Sequence, residues 1–180
     1  MMVIRAQAQT CEEQTMTALV GKMAGQCGSC TGCCRVYPIP ALEKRAGKWC
    51  QHCEIGVGCK IYESRPPLCV DFACYWLQSH QRGQGMPEAM RPDRCKVVFT
   101  PTTKEGLMSG ITMPGSPDAW RKGAAREIID KIIGAGFRVV VGPPASTTKV
   151  MIDRYGEREV QMTEPDENGI QWSIGEDHYE

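Results

Sequence analysis

The sequence predicts an α+β fold. A cysteine-rich N-terminal lobe, residues 1–95, precedes a small antiparallel sheet with one long helix, residues 96–180, a single compact domain being the alternative. Three observations predict it. Nine of the eleven cysteines fall between Cys27 and Cys74. Beyond Cys95 there is no further cysteine, and short runs rich in Val and Ile alternate with Gly- and Pro-containing breaks, the texture of strands and turns. Within that half, Ala125, Ile128, Ile129 and Ile132 recur at helical spacing.

In chain order, residues 12–23 read as a short helix with Ala18, Leu19 and Met23 on its apolar face and Gly25 ending it. Cys11 lies outside the cysteine cluster and is expected to be unligated. CGSCTGCC then supplies Cys27, Cys30, Cys33 and Cys34, and the stretch from Trp49 to Trp76 supplies Cys50, Cys53, Cys59, Cys69 and Cys74. Two cysteines separated by two residues in a tight turn aim both sulfurs at one ion, so C-x2-C spacing favours metal. It occurs at Cys27/Cys30, Cys30/Cys33 and Cys50/Cys53, with Gly28 and Gly32 where the backbone turns back. A disulfide needs Cα atoms at least ~4.4 Å apart, which the neighbours Cys33 and Cys34 do not normally reach. The first residues show no apolar run of signal-peptide type, so a cytoplasmic, reducing location is expected, where clustered thiols bind metal more often than they pair. The lobe is therefore predicted to be metal-stapled.

A structural zinc takes four protein ligands, so nine thiols would fill two such sites with one left over. Adjacent residues in an extended segment point to opposite sides, so Cys33 and Cys34 are expected to face different metals, or different irons of one cluster. The expected cofactor is zinc or an iron–sulfur cluster, as two ions or one multinuclear centre. His52 is read as a supporting or surface residue, because thiols are already in surplus.

CGSCTGCC, KWCQHC, GCKIYESRPPLCVDFACYWL and RPDRCKVVF, in this order across residues 27–99, resemble the YkgJ-type cysteine-cluster family, a zinc- or iron-chelating domain. The resemblance implies a bacterial cytoplasmic protein that binds metal through these cysteines. A related cluster in flagellin lysine methylase points toward iron–sulfur chemistry, although nothing in this chain supplies a methyl-transfer part.

Residues 36–48 are expected to connect the two cysteine groups, extended at Pro38 and Pro40, with one helical turn at Leu42, Glu43 and Lys44. Trp49 and Trp76 are expected to wall the metal site or to fill the core. Ile61 and Tyr62 read as a short buried stretch, and Pro66-Pro67 as a rigid turn holding Cys69. Arg65 either hydrogen-bonds nearby carbonyls or carboxylates or offsets thiolate charge. A helix over residues 68–77 would set Cys69 and Cys74 on different faces, toward different metals. Residues 79–96, dense in Arg, Gly and Pro, read as a solvated charged loop.

In the second half, residues 96–100 and 106–112 are expected to pair as a hairpin. A helix starts at Ser116-Pro117 and ends at Gly134 and Gly136. Strands follow at 137–141, 149–153 and 158–163, and then a turn at Asn168-Gly169 and a strand at 170–174. Lysine plus arginine equals aspartate plus glutamate, 21 against 21, which argues against general nucleic-acid binding. No stretch approaches the ~20 apolar residues of a membrane span. No phosphate loop, dinucleotide fingerprint or nucleophile elbow occurs, and any reaction would have to use the metal. The expected function is metal binding in a structural or protein-partner-docking role. The alternatives are iron–sulfur electron transfer or redox work, or an accessory subunit of a protein-modifying enzyme.

Overall fold

A computed structural model describes residues 27–166 and 171. Cys11, the helix over 12–23, the Asn168-Gly169 turn, the strand over 170–174 (apart from Gln171) and His178 lie outside the described residues. No described helix is long and apolar enough to cross a membrane.

The fold is mixed α+β, centred on a five-stranded sheet: β3 (Val97–Pro101), β4 (Leu107–Thr112), β5 (Arg138–Gly142), β6 (Thr148–Asp153) and β7 (Gly156–Gln161), in sequential order. The sheet is not wholly antiparallel as expected. β4 and β5 run parallel, Leu107 opposite Arg138 through Ile111 opposite Gly142, while the other neighbours are antiparallel. Parallel strands need a crossover of about a dozen residues or more. The segment between them holds helix α5 (Gly123–Gly134), which carries the chain back to the end where β4 began. Among the described residues β7 is an edge strand, and it exposes Glu157 and Glu159, charges that discourage edge-to-edge pairing.

α5 starts later than the Ser116-Pro117 signal indicated. Ala119–Arg121 is a separate 3-10 turn that buries Trp120, and Gly123, at φ +60°, restarts the chain as helix. The stop is as expected. Gly136 adopts φ +84°, its N–H donates to Ile133 O at 2.9 Å, and the Phe137 N–H donates to Ile132 O at 3.1 Å, a Schellman closure.

Alternation along the strands gives the sheet two buried faces. On one, Val97, Phe99, Met108, Val139, Val141 and Ile152 pack against Ala125, Ile128, Ile129 and Ile132 of α5, with Trp120, Met90 and Cys95. On the other, Val98, Ile111 and Met113 share a core with Val36, Cys74 and Leu77 of the cysteine lobe. Farther along that second face lie Val140, Met151, Val160 and Met162. The sheet is thus the middle layer between α5 and the lobe.

The lobe is built of short pieces: α1 (Cys33–Val36), a hairpin of β1 (Cys53–Glu54) and β2 (Gly58–Cys59), α2 (Pro67–Asp71) and α3 (Tyr75–Gln81), with 3-10 turns at Pro40–Leu42 and Tyr62–Ser64. The helical turn expected at 42–44 is thus the 3-10 turn two residues earlier. The expected helix over 68–77 is split, because Phe72 is extended. The supposed charged loop over 79–96 is also ordered, with a 3-10 turn at Glu88–Met90 and helix α4 (Pro92–Cys95). Its apolar residues Met90, Pro92 and Cys95 are buried, while Glu88, Arg91, Asp93 and Arg94 pair with one another. Arg91 grips Asp93 in two-pronged fashion at 2.6 and 2.9 Å and Glu88 at 3.2 Å.

Candidate metal centre

Two of the C-x2-C steps close as turns. The Cys30 N–H donates to Cys27 O at 2.9 Å, and the Cys53 N–H to Cys50 O at 3.0 Å. Gly28, at φ +52°, supplies the left-handed residue in the first. Gly32 serves differently. Its backbone is ordinary helix (φ −57°), but a Cβ there would lie 2.9 Å from Pro92 Cβ and 3.0 Å from Met113 Cε. The Cys50 N–H donates to Cys34 O at 3.0 Å and joins the two cysteine groups. Cys53 and Cys59 face each other across the hairpin. Pro66 O accepts from the Cys69 N–H at 2.8 Å, so the proline pair does position that cysteine.

Seven of the nine predicted ligands, Cys27, Cys30, Cys33, Cys34, Cys50, Cys59 and Cys69, line one cavity of about 250 Å³. Cys53 stands beside it, its thiol hydrogen-bonded to Cys34. Cys74 lies apart, buried against the sheet at the N-cap position of α3. The expected divergence of Cys33 and Cys34 is not realised. They occupy one helical turn, not an extended segment, and their thiols hydrogen-bond to each other.

Among the described residues, no group of three or more His, Cys, Asp or Glu side chains stands in the arrangement of a bound ion. The thiols surround a space instead of a point. A single tetrahedral zinc would draw four sulfurs to ~2.3 Å. The cavity is several times the ~30 Å³ share of one water molecule. The donor set, all soft thiols with no carboxylate on the wall, fits zinc or an iron–sulfur cluster.

Two cations act on the sulfurs. Lys44, buried in the connector, donates from Nζ to the carbonyl oxygens of Tyr37, Arg35 (3.5 Å) and Arg45 (3.4 Å). Burial holds its ammonium below the usual lysine range, while Cys50, Cys34, Cys33 and Cys69 pull the other way. Arg65 donates from Nε to Tyr62 O at 2.7 Å, stacks on the Tyr62 ring and lines the cavity. The expected carbonyl hydrogen bond of Arg65 is therefore present. A hydrogen bond from Cys33 brings the Cys34 thiol down to about 6 against its burial, with Cys53, Lys44 and Arg65 adding to the effect. Burial pushes Cys30 and Cys53 up to about 12 and Cys74 up to about 11.

Several placements differ from expectation. Trp49 is not on the cavity wall and instead lies under the Arg35 guanidinium. Trp76 follows the core-filling alternative, partly buried against the α5 core, where it donates to Pro87 O at 3.2 Å and stacks on His80. The wall is built by Tyr37, Leu42, Ile61, Tyr62, Leu68 and Phe72. Ile61 and Tyr62 line it half-buried, not fully buried. Three contributors were missed in the sequence. Asp93 accepts a hydrogen bond from the Cys30 thiol, and Cys95 is a core thiol donating to Met90 O and Val97 O at 3.4 and 3.3 Å. For these, the Pro-Asp start of α4 was a usable helix-start signal. Lys44, inside LEKRAGK, had none that set it apart from its charged neighbours.

No protein-family model, no curated protein and no solved structure matches the chain.

Proposed function

We propose that the chain is a metal-binding cysteine-cluster protein, of the YkgJ type its motifs resemble, which holds a multinuclear centre in the thiol-lined cavity. The observation that carries this reading is the gathering of seven cysteines around one cavity with Lys44 and Arg65 beside them. Thiolates in number need both deprotonation and charge compensation. Cys27, Cys30, Cys33, Cys34, Cys50, Cys59 and Cys69 are the proposed donors, with Cys53 close enough to join and Cys74 bracing the lobe against the sheet. Zinc would act here as a staple, and an iron–sulfur cluster would add one-electron chemistry. The role proposed is structural, with a partner docking on the lobe. Its apolar residues Ile55 (62%), Val57 (63%), Leu68 (47%) and Val70 (56%) are strongly exposed.

The test is metal and acid-labile sulfide analysis of protein purified without oxygen. At least two metal ions per chain are expected. Cys34→Ser and Cys59→Ser should lower metal content several-fold, and Cys95→Ser should leave it unchanged. Iron with sulfide would identify a cluster, and zinc alone the staple. A single mononuclear ion per chain, or equal loss in all three variants, would overturn the reading.

A further inference from the structure

A second, larger cavity of about 840 Å³ lies between the cysteine lobe and the far half of the sheet's second face. Ligand sites commonly span ~300–1,000 Å³ and combine apolar walls with a few fixed polar groups. We propose that this cleft binds a small organic anion with an apolar body, its anionic group seated on Lys149. The inference does not rest on the metal reading.

The floor is apolar, from Leu107, Val140 and Met162 of the sheet, and Tyr37 and Pro38 of the lobe close the opposite side. Lys149, on β6, is a buried charge at that floor. It is 5% exposed, yet it lines the cleft. Its stem lies over Gly142, where a Cβ would come within 2.8 Å of Lys149 Cγ. Only a glycine there leaves the lysine room.

Lys149 Nζ donates to Gln171 Oε1 at 2.9 Å. The Gln171 amide nitrogen is itself anchored to Ser146 O (3.0 Å) and Thr163 O (2.9 Å), which orients that acceptor. An ammonium has three donors, and this accounts for one. Among the described residues Lys149 forms no ion pair. Its burial holds the ammonium down to about 8. A buried ammonium without a counter-charge is costly, and an anion entering the cleft supplies that charge.

The surrounding charge favours the same ligand. Lys44, Arg45 and Lys104 line the cleft against Glu43 and Asp166. Tyr37, which donates to or accepts from Thr100 Oγ1 at 3.1 Å, also lines the thiol cavity. A ligand in the cleft would therefore sit one side chain away from the cysteines.

The test is calorimetric titration of the full chain, with its metal content as purified, using decanoate and 1-decanol. Decanoate should bind saturably, one per chain, and about tenfold or more tighter than decanol. Lys149→Met, which replaces a buried ammonium by an apolar side chain of similar length, should fold and bind decanoate about tenfold or more weakly, with decanol unchanged. Ser109→Trp, filling the cleft from β4, should abolish both. Equal binding of acid and alcohol, undiminished decanoate binding by either variant, or no saturable binding to the parent would each overturn the proposal.

Discussion

At Gly32, a missing side chain lets the CTGCC turn rest directly on Pro92 and Met113. Its backbone is ordinary helix, so Gly32→Ala costs nothing in conformation and gains ~0.4–1 kcal/mol from a stiffer unfolded chain. The overpacking term, ~1–3 kcal/mol, is larger. We expect a net loss in chemical denaturation, and a variant as stable as the parent would show that the turn is not tightly docked. Lys149 illustrates the opposite case, a residue whose presence destabilises. Its folded value is about 8 against an ordinary 10.5, so between those values the unfolded chain holds more protons and stability rises with pH. Below about pH 8 the cost is on the order of 3 kcal/mol. Lys149→Met should therefore be more stable than the parent at pH 7, less a hydrogen bond to Gln171. The gap should narrow as pH rises toward 10.5. The difference between the two proteins isolates Lys149 from the thiols that titrate nearby. A gap independent of pH would sink this account.

Among the elements, α4 and α5 bear on the sheet differently. α5 contributes a continuous apolar face, and Ile129 is fully buried there. Ile129→Ala should lose ~2–5 kcal/mol, a transfer term plus a cavity. Phe137→Ala, at a residue 45% exposed just past the helix, should change stability by less than ~0.5 kcal/mol. Comparable losses at both positions in thermal melts would mean that the helix is not seated as described. α4 acts instead as a polar hinge-pin between layers. Arg91 holds Asp93, and Asp93 accepts from Cys30. Arg91→Ala leaves a half-buried carboxylate without its guanidinium and should cost ~1–3 kcal/mol. It should also loosen metal retention at Cys30, read as faster zinc or iron loss to a chelator. Unchanged retention would separate α4 from the cysteine lobe.

For the whole molecule, the question is what the lobe retains without metal. Thiolate–metal bonding can contribute on the order of 10–16 kcal/mol to folding a small zinc module. A whole domain is typically stable by only ~5–15 kcal/mol. Of the lobe's buried apolar side chains, Val36 and Leu77 pack against the sheet, whereas Ile39 lines the thiol cavity, which the metal would fill. Chelation under reducing conditions should therefore erase amide-exchange protection across residues 27–72. α5, β5, β6 and β7 should stay protected, with α3 and β3 intermediate because they share the second-face core. Even loss throughout would mean one cooperative unit, and no loss in the lobe would mean that the thiols are not its staple.

Local pattern was legible in the sequence because its causes are local. The strands near 97–101, 107–112 and 138–142, the later pair around Tyr155-Gly156, the apolar stripe of α5 and its glycine stop all follow from period and backbone preference. So does the C-x2-C turn chemistry of Cys27/Cys30 and Cys50/Cys53. Other features depend on residues far apart in the chain. The parallel join of β4 and β5 is set by where α5 returns the chain. Met90 and Cys95 are buried in one core cluster with Ile128, Ile129 and Val139, which lie more than thirty positions further along the chain. The presence of Cys59 and Cys69 on the cavity wall, and the absence of Cys74 and Trp49 from it, likewise required the packed lobe. The burial of Lys44 and Lys149 had no mark in the sequence, since a lysine's sequence neighbours say nothing of what will cover it. Periodicity is a property of a segment, whereas burial, strand direction and the company a thiol keeps are properties of contacts that exist only once distant segments have met.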